Sequence, residues 1–165
     1  VTPYTARFRM PVETRLPWQL WLVRDTPLGP LLVRGLNAFS RGLVHVCPVR
    51  RLPAEVRAGY LAPYRSWNDR RAVLRFVQDI PLTPADRAYP IVRSVMDGVG
   101  RFAGVPTLLC WGEKDFVFDH DFLAGWQARF PHAEVHRFQR AGHLLLEDAG
   151  EEVLGLVRDF LGRQP

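Results

Sequence analysis

The chain has 165 residues, two cysteines and a formal net charge of +5, with 47% hydrophobic and 24% charged residues. That balance fits a globular domain and excludes a disordered chain or a disulfide scaffold. No apolar run approaches the roughly 20 residues of a membrane span, and VTPYTARFRM lacks a signal-peptide core, so the sequence reads as a cytoplasmic domain or part of a larger one.

Residues 1–103 hold 16 arginines against 7 acidic residues, a net of +9, and residues 104–165 hold 6 basic against 10 acidic, a net of −4. A basic half can mark a nucleic-acid partner. Here the arginines are scattered between apolar positions, without a block of like charge. They are read as solvated helix faces and as partners for the acidic half, with no nucleic acid implied.

The first half reads as helices interrupted by proline. Leu32, Leu36, Phe39 and Leu43 recur on one helical face. Pro53 can open a second helix with Val56 and Tyr60 on one side. Ser66 and Asp69 form an S-x-x-D cap ahead of Val73, Phe76, Val77 and Ile80, and Pro81 ends that run. A fourth helix is predicted over about 89–102.

The second half alternates. Residues 105–111, VPTLLCW, read as a strand buried on both faces, residues 121–130 as a helix and 134–138 as a strand. Residues 151–161 read as a terminal helix with Val153, Leu156, Val157, Phe160 and Leu161 on one face. Strand–helix–strand–helix implies parallel strands in an α/β fold. Two strands are few for such a sheet.

In parallel sheets, chemistry gathers at the carboxyl ends of the strands. The first strand runs into Gly112-Glu113-Lys114-Asp115 and the second is followed by Ala141-Gly142-His143. An acid that orients an imidazole, which then serves as base, makes two parts of a nucleophilic triad. The order acid then histidine is that of the α/β-hydrolase fold, whose nucleophile comes earlier on a G-x-[S/D/C]-x-G elbow. The sequence contains no such pentapeptide after an apolar strand, nor an H-G-x-P segment. Asp115 could instead close a turn and His143 be structural. Asp119 competes with Asp115 for the acid role.

Three segments carry a resemblance: WGEKDFVFDHDFL, FPHAEVHRF and AGHLLLEDAGEEV resemble the C-terminal third of the haloalkane dehalogenase-like α/β hydrolases. With LPWQLWLVRDTPLGPLLVRGLNAFSRGL and EVRAGYLAPYRSWNDRRAVLRFVQDIPL, residues 8–162 resemble the olefin-biosynthesis cis-β-lactone decarboxylases. The resemblance implies the end of a core strand and lead-in at 1–11, a helical cap at 12–90 and a C-terminal α/β core portion at 91–165. It places the triad acid on Asp115 and the base on His143. It also implies an aspartate nucleophile upstream of Val1, so the chain is expected to be the cap and C-terminal part of a longer enzyme and inactive alone. The substrate is expected to be a hydrophobic small molecule, with no cofactor or metal, and other olefin-pathway enzymes are the expected partners. A haloalkane dehalogenase or epoxide hydrolase is the competing reading, and a non-catalytic interaction module the reading of another class.

The same resemblance suggests Trp18, Trp21 and Trp67 as pocket residues, against a plain core role. Asp119, His120 and Asp121 lack metal-ligand spacing, and Asp119 is read as a helix cap. Glu147 and Asp148 are read as capping the last helix. Cys47 and Cys110 are read as small buried hydrophobes.

Overall fold

A computed structural model describes residues 6–164; residues 1–5, which include the start of the predicted lead-in strand, and Pro165 lie outside the described residues. Two short strands open it, β1 (Ala6–Arg9) and β2 (Val12–Arg15), paired antiparallel with Arg9 opposite Val12 across the cis Met10–Pro11 bond. The predicted lead-in strand therefore pairs with its own return strand. Pro11, which has no N–H to donate, turns the chain back. The hairpin seats on Gly125, where a Cβ would stand 2.4 Å from Val12 Cγ1.

The helical part follows as α1 (Trp18–Asp25), a π-helical turn over Leu31–Gly35, α2 (Ala38–Val46), α3 (Ala54–Leu61), α4 (Arg71–Gln78) and α5 (Tyr89–Gly98). The single helical face predicted from Leu32 to Leu43 is broken at Asn37, which adopts the left-handed conformation (φ 53°) and donates from Nδ2 to the Tyr64 carbonyl at 3.2 Å. Asparagine tolerates that conformation better than most residues. Leu32, Phe39 and Leu43 still line one cleft, whereas Leu36 is exposed. Val23, Val33, Leu74 and Val77 form a core with Leu20, Phe39, Val73 and Ile80 packed against it. Phe76, at helical spacing with Val73, Val77 and Ile80, is nevertheless 74% exposed. Ser66 and Asp69 exchange the predicted cap bonds, 2.8 and 3.3 Å, around a turn just ahead of α4.

The second half is β3 (Leu108–Gly112), α6 (His120–Arg129), β4 (Glu134–Phe138) and α7 (Leu145–Gly162). β3 and β4 pair in parallel, from Leu108 opposite Glu134 to Gly112 opposite Phe138. Phe138, Ala141 and Val153 make its core, with Cys110, Leu145, Leu156 and Val157 against them. Among the described residues no helix is long and apolar enough to cross a membrane.

The expected ion pairing between the two halves takes another form. Arg24 pairs with Asp25 and Asp86, Arg137 with Glu113 and Arg163 with Glu134, each within its own half. Two arginines that cross between halves donate to carbonyls: Arg9 to Val117 at 2.9 Å and Arg50 to Asp148 at 2.6 Å. The main tie is Asp148, read from sequence as a helix cap. It makes no cap bond and is buried, and its carboxylate accepts from the amides of Val49 (2.9 Å), Arg50 (2.9 Å) and Gly142 (2.9 Å). Ala149, at φ −142° and ψ 31°, bends α7 immediately after it. Glu147 accepts from the Tyr60 hydroxyl at 2.8 Å, which ties α3 to the same turn.

Two stability predictions follow. Asp148→Ala leaves three amides without their acceptor and is expected to cost about 3 kcal/mol, with Asp148→Asn costing less, read from denaturant midpoints. Equal midpoints for Asp148→Ala and the parent would show that water replaces the carboxylate. The second concerns Asp86. Burial pushes its carboxyl up, but the amides of Leu82 and Thr83, the Thr83 hydroxyl and Arg24 outweigh it and hold the carboxyl below its ordinary value. A depressed carboxyl stabilises the fold above its unfolded value, and that contribution is lost as pH falls through the folded value. Stability should therefore drop below about pH 4 more steeply in the parent than in Asp86→Asn. Parallel pH profiles of the urea midpoint would contradict this.

Candidate active site

The site forms because two strand-end loops lie edge to edge. The Glu113 amide donates to the Phe138 carbonyl at 3.0 Å and the Lys114 amide to the Ala141 carbonyl at 2.9 Å. The approach demands glycine at 112, where a Cβ would stand 2.5 Å from the Gly142 carbonyl oxygen. Gly142 is equally constrained, with the Cys47 carbonyl oxygen 2.6 Å from where its Cβ would be. The His143 amide donates to that same carbonyl at 3.1 Å. The segment after α2 thus fixes the backbone on both sides of the Gly142–His143 bond.

Asp115 and His143 are brought together by these loops. Asp115 Oδ2 lies 2.9 Å from His143 Nδ1, with the two side chains 10% and 24% exposed. Asp115 Oδ1 accepts from the amides of Val117 at 2.7 Å and Phe118 at 2.9 Å. The carboxylate is an acceptor only, so the imidazole donates from Nδ1 and leaves the Nε2 lone pair free. The Phe118 ring packs 5.3 Å from the imidazole, centroid to centroid. An acid with one oxygen held by two amides and the other on an imidazole is the orienting half of a base. Asp119, the competing acid, instead caps α6 by accepting from the Asp121 amide at 3.1 Å.

His143 opens into a cleft of about 480 Å³ lined by Trp18, Leu22, Phe39, Leu43, Cys47 and Phe116 among others. His143 and Cys47 are the titratable groups in its lining. Burial, with a smaller effect of the Asp115 charge, pushes the Cys47 thiol up to about 11, so it stays protonated and is a poor nucleophile at neutral pH. A larger open groove of about 670 Å³ runs between β4 and α7, but neither Asp115 nor His143 lines it. Its buried carboxylate, Asp148, is already occupied by backbone amides.

Of the three tryptophans, Trp18 lines the cleft and Trp21 and Trp67 do not. Trp67 is 47% exposed, with the Arg34 guanidinium 4.4 Å above its ring, a contact that keeps it on the outer surface. His120 pairs with Asp121 on the surface at 3.2 Å, and no group of three His, Cys, Asp or Glu side chains among the described residues could hold a metal ion. Sequence reasoning missed Arg9, Asp148, Phe116 and Phe118. Of these, Asp148 alone carried a signal, an acid five residues after His143, and it was the signal of a helix cap.

Residues 48–150 match the family model of the alpha/beta hydrolase fold. The chain is 47% identical over 159 residues to the cis-3-alkyl-4-alkyloxetan-2-one decarboxylase of Shewanella oneidensis, covering 95% of this chain and 50% of that protein. It is 42% identical over 161 residues to the protein of the same name from Xanthomonas campestris, covering 98% and 54%. The chain thus spans about half the length of the curated relatives it matches. It superimposes on the crystal structure of a haloalkane dehalogenase from Bradyrhizobium elkani with a TM-score of 0.72 at 22% identity, over 88% of this chain and 52% of that one. At that identity the likeness is one of fold. The match of the family model, over most of the chain and across both strand-end loops, shows that the chain belongs to the alpha/beta hydrolase fold family.

Proposed function

We propose that this chain supplies the acid–base half and the cap of an enzyme that decarboxylates hydrophobic β-lactones to alkenes. The observation that carries the reading is the 2.9 Å Asp115–His143 pair facing an apolar cleft, in a chain 42–47% identical to two oxetan-2-one decarboxylases. In the overall reaction one ring C–O bond and one ring C–C bond break. Carbon dioxide leaves and the two alkyl-bearing carbons become doubly bonded, so no oxidant, reductant or water is consumed.

In this reading the nucleophile is an aspartate outside residues 1–165, in a longer protein of the relatives' length. His143 Nε2 assists collapse of the intermediate to alkene and carbon dioxide (in the dehalogenation alternative it acts as base toward water), and Asp115 holds the imidazole in the tautomer that leaves Nε2 free. The cleft takes the alkyl groups, with Trp18 on its wall; Trp21 and Trp67 would act at most from outside it. The reading needs no cofactor or metal. A cytoplasmic location and assembly with other olefin-pathway enzymes belong to it. Dehalogenation of a haloalkane would use the same pair with a different leaving group.

The test is turnover of a cis-3,4-dialkyl oxetan-2-one, read as alkene release, with this chain carried in a protein of the relatives' full length. His143→Ala is expected to lower kcat by about three orders of magnitude or more, and Asp115→Asn by less. Because the pair acts as a unit, the double variant should match His143→Ala alone. Asp119→Asn should leave turnover intact and, because asparagine caps as well as aspartate, change stability little, whereas Asp119→Ala should cost about 1 kcal/mol. Full activity of His143→Ala would overturn the proposal, and turnover of 1-haloalkanes but not of the lactone would favour dehalogenation.

A further inference from the structure

We infer that Arg9 is a positioning residue for the Asp115–His143 pair, and that it acts through the peptide group between Val117 and Phe118. The inference extends the catalytic reading of that pair. Arg9 ends β1 and is 8% exposed, an uncommon place for a guanidinium. It donates from Nη2 to the Val117 carbonyl at 2.9 Å and from Nη1 to the Arg15 carbonyl at 3.3 Å. Its Cζ lies 4.7 Å from the Phe122 ring centroid and 5.9 Å from that of Phe118.

The Val117 carbonyl and the Phe118 amide belong to one planar peptide group. Its oxygen accepts from Arg9 and its N–H donates to Asp115 Oδ1 at 2.9 Å. One rigid plate therefore joins the guanidinium to the carboxylate, and rotating it would break both bonds. A cation on the carbonyl also polarises the peptide and strengthens the donation from its N–H. With Oδ1 held in this way, Oδ2 is left pointing at His143 Nδ1. The Phe118 ring adds a second route, since it packs against both Arg9 and the imidazole. Burial lowers the affinity of Arg9 for its proton, an effect that Asp119 and Asp115 oppose. The carboxylates and ring faces thus reduce, without cancelling, the desolvation cost of a charge placed beside the acid loop.

A purely structural role would be to pin the β1–β2 hairpin to α6, and Val12 provides the control. Val12 belongs to the same hairpin and packs at Gly125, outside the 115–118 turn. The readout is exchange with water of the His143 Nδ1 proton, followed by NMR in the ¹⁵N-histidine-labelled chain. Arg9→Met is expected to speed that exchange about tenfold, the loss of one charge-assisted bond in the relay. Val12→Ala should leave the exchange unchanged. Where Arg9→Met gives no cooperative melt, Arg9→Gln carries the same test, because it keeps a polar side chain in the hairpin and removes the charge from the Val117 carbonyl. Parent-like exchange in the folded Arg9 variant, or equal acceleration by Val12→Ala, would overturn the inference. Failure to turn over oxetan-2-ones would count against the proposed function alone, since this signal reads the geometry of the pair.

Discussion

Asp148 is the constraint on which the rest of the site depends. Its buried carboxylate accepts from two amides of the segment after α2 and from Gly142, the residue before His143. A charge buried in this way is stable only when its lone pairs are filled. All of its donors are backbone amides, so it fixes main chain rather than side chains. Gly142 is then held on both sides, by the Ala141–Gly142 N–H on Asp148 and the Gly142–His143 N–H on the Cys47 carbonyl. The imidazole inherits its position from a main chain that cannot shift without orphaning a buried charge.

The chemistry of the cleft follows from what surrounds that imidazole. Its walls are apolar, and His143 is set among Trp18, Phe39, Leu43 and Phe116. In such a medium an ionised group is worth more to its partner than in water. An imidazolium formed at His143 would have Asp115 beside it, and Asp115 is itself held by two amides rather than by solvent. Cys47 is the other group in the lining able to ionise, and burial keeps it neutral. The cleft therefore offers one proton acceptor and little competition for it.

How much of this was legible in the sequence depended on the range of the contacts concerned. β4 was read to the residue, because a five-residue strand between a proline turn and a glycine loop leaves little choice. Asp115 and His143 were visible as a pair, because strand-end positions in a parallel sheet are set by local pattern. The break at Asn37 was not visible. The apolar spacing across it is that of a continuous helix, and the left-handed turn is favoured by a bond to Tyr64, 27 residues away. Asp148 is hidden for the same reason: an acid in the first turn of a helix looks like a cap, and two of its three partners lie 98 and 99 residues earlier. Trp67 illustrates the reverse error, since aromatic character alone does not separate a pocket wall from a ring stacked beneath a surface arginine.

The charge asymmetry between the halves ends in the same physics. A net of +9 against −4 invites a salt-bridged interface. Several contacts that join the halves around the site instead place a charge on neutral backbone: Asp148 on the Val49 and Arg50 amides, Arg50 on the Asp148 carbonyl and Arg9 on the Val117 carbonyl. Exposed ion pairs weaken as salt rises, whereas buried groups are screened far less. Peptide dipoles are also fixed in direction by the chain, so a charge bound to them specifies geometry as well as energy. The alignment of Asp115 and His143 accordingly rests on charges bound to main chain rather than on surface ion pairs.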